Sequence, residues 1–253
     1  EVNVAAIGDS GTGSDEQIEL AGQLDALEPH LLLHTGDTVY PYGVPSHYYN
    51  KFFKIYRDLL SNTCIYPSLG NHDCLISPAY WLYVFHLPAN NPAKDEAYYS
   101  FDAGDAHFVA LNSCTYEVPD EQVEWLEEDL SATKQAWKIV YFHHAPYSNA
   151  IHGGTVSVRD AVVPVFERKG VDLVLSGHDH VYERSYPIRG GGLRDGFQDP
   201  NYVSPRGIIY VVTGGGGATL YDYEPSPEAH LSAFFRSEHH YFSLKITAEE
   251  IEG

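Results

Sequence analysis

Leu31-Leu32-Leu33-His34-Thr35-Gly36-Asp37-Thr38-Val39-Tyr40 runs from an apolar stretch into a Gly-Asp turn and ends on a tyrosine. The short apolar run bounded by a turn residue reads as a buried strand, so Asp37 falls where the strand ends and a loop begins. The same pattern recurs along the chain. Val4 to Ile7 precedes Gly8-Asp9-Ser10-Gly11, and Ile65 to Leu69 precedes Gly70-Asn71-His72-Asp73. Ile139 to Phe142 ends on His143, and Val171 to Leu175 precedes Gly177-His178-Asp179-His180. Loops at strand ends are where α/β sheets place their sites.

Between these strands the spacing turns helical. Ser14 is a candidate N-cap with Gln17 as its capping-box partner, and Ile18, Leu20, Ala21, Leu24 and Leu27 can form one apolar face. Tyr48 to Leu60 reads as a helix. So do the residues after Pro119, with Val123, Leu126 and Leu130 at helical spacing, and Val158 to Lys169, where Pro164 marks a kink or a first turn. Tyr98 to Phe101 and His107 to Leu111 read as a hairpin around Ala103-Gly104-Asp105. Gly207 to Thr213 and Tyr241 to Ile246 read as further strands. Residues 189–205 and 221–227 are rich in turn formers and read as loops.

The 253 residues are 43% hydrophobic, enough for a large core, and are read as one domain spanning 1–253. No apolar run has the length of a membrane span. A net charge of -20 repels nucleic-acid backbones, which argues against a nucleic-acid partner. It also repels phosphate esters, unless cations bound in a cleft dominate the local field. Cys74 and Cys114 fall at one edge of the expected sheet and Cys64 at the other. Two states fit: a Cys74–Cys114 disulfide with Cys64 free, or three reduced thiols.

Asp9 and Asp37 are hard oxygen donors, and Asp37 can bridge two ions. Asn71 offers an amide oxygen, and His143, His178 and His180 offer imidazole nitrogens suited to Zn, Fe, Mn or Co. A lone Gly-Asp after a strand is ordinarily a turn, and a lone His-Asp-His is more often packing than metal. Five such blocks in order make a two-metal site the better reading. His30, His34, His47, His86, His107, His230, His239 and His240 lack such a context and read as packed or surface residues. His144 reads as pointing away from its neighbour His143, as strand neighbours do.

These blocks match GDxG, GDxxY, GNH(D/E), VxxH and GHxH, and the chain resembles the calcineurin-like metallophosphoesterases and, within them, the purple acid phosphatases. Tyr40 is the discriminating residue. Val181-Tyr182-Glu183-Arg184, Gln122-Val123-Glu124-Trp125-Leu126 and Gly214-Gly215-Gly216-Gly217 are similar to stretches of that family. The resemblance implies an α/β fold, a four-layer α-β-β-α sandwich with two packed mixed β-sheets. It implies that Asp9, Asp37, Tyr40 and His180 hold Fe(III), while Asp37, Asn71, His143 and His178 hold divalent Zn, Fe or Mn. His72 would contact the phosphate or protonate the leaving group, with Asp73 orienting it. His152 and Asn71 would contact substrate. Plant-type members carry an N-terminal β-domain, for which a first block at residue 8 leaves no counterpart here.

The expected activity is hydrolysis of small phosphate monoesters, an acid phosphatase. The rivals are a metallophosphodiesterase, against which Tyr40 argues, and a non-catalytic metal- or phosphate-binding protein, against which the His72-Asp73 pair argues. Family habit and the missing initiator Met point to a secreted or periplasmic location.

Overall fold

Short runs of Val, Ile and Leu that are apolar at every position can be buried only between two layers, and that is where they lie. The computed structural model describes residues 1–193, 202 and 205–253. In chain order the elements are β1 (Val2–Ile7), α1 (Asp15–Leu27), β2 (Leu31–His34), α2 (Pro45–His47), β3 (Cys64–Pro67), α3 (Asn71–Cys74), α4 (Pro78–Val84), β4 (Tyr99–Ala103), β5 (Ala106–Ala110), α5 (Asp120–Ala132), β6 (Trp137–His144), α6 (Val156–Lys169), β7 (Leu173–Gly177), β8 (Tyr182–Ser185), β9 (Ile188–Arg189), β10 (Gly192–Leu193), β11 (Ile209–Thr213), β12 (Ser232–Arg236), β13 (Phe242–Ile246) and β14 (Ile251–Glu252).

One sheet has the order β14-β13-β1-β2-β3 and the other β12-β8-β11-β7-β6-β5-β4, with β9 and β10 forming a separate hairpin. Strands β1, β2 and β3 run parallel, as do β5, β6, β7 and β11. Strands β13 and β14 of the first sheet and β4, β8 and β12 of the second pair antiparallel, so both sheets are mixed. Val4, Ala6, Leu31 and Leu33 of the first sheet pack against Phe108, Tyr141, Leu175 and Val211 of the second. The alternate residues Ala5, Ile7 and Leu32 face out under Leu20, Ala21 and Leu24 of α1. On the other side Val109, Val140 and Val174 carry Leu126 and Leu130 of α5 and Val162 and Phe166 of α6. The four layers are therefore helix, sheet, sheet, helix, and the expected α-β-β-α sandwich is borne out.

The parallel strands matter for function. Their carboxyl ends carry Gly8-Asp9, Gly36-Asp37, Gly70-Asn71, His143 and Gly177-His178. Cys74 and Cys114 are disulfide-bonded with their Cα atoms 6.3 Å apart, and Cys64 is free and exposed. Among the described residues no helix is long and apolar enough to cross a membrane.

Some local expectations change. Residues 48–60 are not one helix: a π-helical turn at Tyr48–Phe53 and a 3₁₀ turn at Leu59–Ser61 place Tyr48, Phe52, Tyr56 and Leu59 in the core together. In α1, Gln17 is buried while Ile18 and Leu27 are exposed. The Gln17 backbone N–H donates to Ser14 Oγ, but its side chain accepts from Gly13 N–H and donates to the Lys51 carbonyl, so the capping box is half formed. Pro164 lies inside α6. The expected loop 189–205 begins as the β9–β10 hairpin, and its residues 194–201, 203 and 204 lie outside the described residues.

Candidate metal centre

Three residues of the strand-end turns hold left-handed backbone: Asp9 at φ 58°, Asp37 at φ 52° and His178 at φ 69°. Each costs about 1–2 kcal/mol for an L-residue, and such strain gathers at functional sites. The turns are also tightly stacked. A Cβ on Gly70 would stand 2.1 Å from the Asp37 backbone nitrogen, and one on Gly216 would stand 2.2 Å from the Gly8 carbonyl oxygen. Gly216 N–H donates to Gly8 O, and Ala218 N–H donates to Asp9 O. The four-glycine run is thus a strap across the first block.

The seven expected ligands come together in two adjoining groups. In the first, Tyr40 donates its hydroxyl to Asp9 Oδ1 at 2.9 Å, and His180 Nε2 lies 3.1 Å from that hydroxyl and 3.4 Å from Asp9 Oδ1. In the second, His143 Nε2 lies 3.0 Å from Asn71 Oδ1, 3.4 Å from Asp37 Oδ2 and 3.3 Å from His178 Nδ1. One donor atom each from Asp9, Asp37 and His143 falls within 4.8 Å of the others, which joins the groups. Asp9, Asp37, His143, His178 and His180 are buried, whereas Tyr40 and Asn71 are partly open.

The donor chemistry fits metal ions. His143 Nδ1–H donates to the Thr35 carbonyl at 3.0 Å and His180 Nδ1–H to the Thr219 carbonyl at 2.6 Å. Both Nε2 lone pairs are left facing carboxylate oxygens, an arrangement that only a cation or a proton between them relieves. The charge balance agrees. Burial disfavours protonated His143, yet the Asp37 and Asp9 carboxylates outweigh it and raise its pKa to about 9. Tyr40 is held as a phenol, its pKa pushed well up by burial and then by Asp37 and Asp9. A cation in the cluster inverts that balance.

His72 is 31% exposed at its side chain. Its Nδ1–H donates to the Pro41 carbonyl at 2.6 Å, and its Nε2 stands 4.0 Å from Asp37 Oδ2. Asp73 does not hold this ring. It is fully buried, accepting from Thr38 N–H at 3.2 Å, Gly70 N–H at 3.0 Å, Thr38 Oγ1 at 2.5 Å and Tyr48 Oη at 3.1 Å. The role expected of Asp73 is corrected: it braces the second block against the third, and Pro41 orients His72. His152 stacks on His178 with ring centres 4.2 Å apart, at the rim of the cluster.

His34 is buried against Ser10, as expected of a packed histidine. His144 does not point away: it lies beside His143 and His178. Four further residues have site roles that the sequence did not reveal. Tyr116 packs on His144, and Tyr221 stacks on His180 with ring centres 4.2 Å apart. Asp179 accepts from Ser148 Oγ at 2.5 Å and His152 N–H at 3.1 Å. Glu183 accepts from Asn149 N–H at 2.7 Å, and Asn149 Oδ1 accepts from Ser226 Oγ at 2.8 Å. Buried Glu183 is a signal that Val181-Tyr182-Glu183-Arg184 carried without its partner being visible.

This chain belongs to the calcineurin-like phosphoesterase family, whose model matches residues 2–182. Among curated proteins it is 26% identical over 225 residues to acid phosphatase type 7 of Mus musculus, covering 78% of this chain and 49% of that protein. It is 29% identical over 234 residues to purple acid phosphatase 21 of Arabidopsis thaliana, covering 85% of this chain and 50% of that one. The chain thus spans about half the length of these relatives. Among solved structures, purple acid phosphatase PPD1 of yellow lupin superposes with a TM-score of 0.82 at 23% identity, over 96% of this chain and 49% of the lupin chain. That likeness shows a shared fold.

Proposed function

We propose that this chain is one catalytic domain, residues 1–253, that hydrolyses small phosphate monoesters at a dinuclear metal centre. The observation that carries the reading is the pair of Nε2 nitrogens, on His143 and His180, turned onto carboxylates by the carbonyls that hold Nδ1. Asp9, Asp37, Tyr40 and His180 would hold Fe(III), for which a phenolate is a fitting hard donor. Asp37, Asn71, His143 and His178 would hold divalent Zn, Fe or Mn, with Asp37 shared. When bound, such ions lower the pKa of water and offset the charge of the phosphoryl group.

The remaining chemistry belongs to the chain. His72, its ring fixed through Nδ1, presents Nε2 to the cluster and gives a proton to the departing alkoxide. Partial exposure lets that nitrogen regain its proton from water. Asn71 and His152 bind the phosphoryl oxygens, and Tyr116 and Tyr221 wall the mouth. Buried Asp73, Asp179 and Glu183 hold the loops that carry these groups. We further infer a secreted or periplasmic location, which the Cys74–Cys114 disulfide supports.

The test is metal analysis of the purified protein together with a panel of monoesters and diesters. Two metals per chain, monoester turnover and a visible tyrosinate-to-iron band are expected. Turnover of diesters alone contradicts the substrate class, and a colourless, fully active Zn or Mn protein contradicts Fe(III).

A further inference from the structure

His144 is outside the seven-residue donor set, yet it is fully buried beside it. Neighbours on a regular strand point to opposite faces, so His143 and His144 should diverge. The pairing of β6 with β7 shifts register between Tyr141 and His144, and such irregularities re-aim side chains. Both rings reach one pocket: the His144 ring centre lies 4.9 Å from that of His143 and 4.4 Å from that of His178. One nitrogen each of His143, His144 and His178 falls within 4.8 Å of the other two. Nδ1 of His144 meets Ser113 Oγ at 3.1 Å, while its Nε2 is buried without a partner. A bare buried nitrogen destabilises the fold unless something binds it.

We propose that His144 supplies a third imidazole nitrogen to the metal held by His143 and His178. The inference rests on the two-metal reading above. Ser113 Oγ, accepting from Nδ1–H, sets the tautomer that leaves Nε2 free, the usual service of a partner behind a metal-binding histidine. Tyr116, its ring centre 4.0 Å from that of His144, closes the other side. Three imidazoles tilt this position toward zinc or cobalt and away from manganese or magnesium, which favour oxygen.

The test is a pair of titrations of the metal-free full chain, one with zinc and one with manganese, followed by calorimetry. The wild type should take up two zinc ions. His144→Ala should weaken zinc at one position by about 10–100-fold and manganese by much less, so that the zinc preference collapses there. His144→Phe, which keeps the ring volume and lacks the nitrogens, should do the same; thermal melts of the metal-free variants identify any that fail to fold. Wild-type zinc affinity and zinc preference in a folded variant overturn the proposal. A wild type that takes up no metal overturns the two-metal reading itself, and the inference with it.

Discussion

Around Asp9, Tyr40 and His180 the donors are mostly oxygen and anionic, whereas around His143, Asn71 and His178 they are mostly neutral and rich in nitrogen. His178 and His180 sit two residues apart in one motif, and their surroundings push them in opposite directions. Burial lowers both. His180 nevertheless ends with a raised pKa because Asp9 holds its proton, while His178 is driven far down by burial and then by His143, His144 and His152. One short motif thus feeds two chemically different positions, one beside anionic oxygen donors and the other among imidazoles.

The sharpest way to break this comparison is to remove what the halves share. Asp37→Asn should empty both positions and cut turnover by at least about 10²–10³-fold, read as metal content and kcat; retention of both metals would separate Asp37 from the centre. His72→Ala should touch neither half. Turnover should fall by about 10²–10⁴-fold while the chain keeps its metal, and equal losses of metal and rate would make His72 structural. Tyr40→Phe should act on the oxygen-rich half alone. Its visible band should vanish and metal there should bind about 10-fold or more weakly, with the divalent position intact. Asn71→Ala should mirror this, weakening the divalent position and sparing the colour.

The smallest effect belongs to a histidine remote from this comparison. His107 lies between Asp102 at 2.6 Å and Asp129 at 2.7 Å. Burial opposes its charge, but the two carboxylates outweigh it and raise its pKa above 6.5. A raised folded pKa gives stability that is full below 6.5 and lost as pH climbs through the folded value. The melting temperature of the wild type should therefore exceed that of His107→Gln near pH 6, and the gap should narrow as pH rises. A gap independent of pH would place its origin in packing. Turnover per metal should be unchanged.

Much of this is legible in the sequence. The five blocks follow strands because apolar runs ending in glycine leave few other placements, and parallel pairing then gathers Asp9, Asp37, Asn71, His143 and His178 at one edge. What could not be read depends on contacts distant in sequence. Asp73 follows His72 directly, yet its partners are Thr38, Gly70 and Tyr48, fixed only when two turns stack. His144 breaks the alternation rule because β6 slips against β7, and a register shift leaves no mark on residue pattern. Tyr48–Phe53 reads as an ordinary helix because a π-helical turn needs no different residues. Tyr182-Glu183-Arg184-Ser185 does not read as a strand because its inward residues are polar, satisfied by Asn149 and the backbone of β11.

The measurement closest to the central claim is turnover of a matched phosphate monoester and diester by protein of known metal content, before chelation, after it and after metal is restored. Two metals per chain are expected, with monoester hydrolysis that disappears on chelation and returns with metal. Monoester hydrolysis that survives complete removal of metal would contradict that claim.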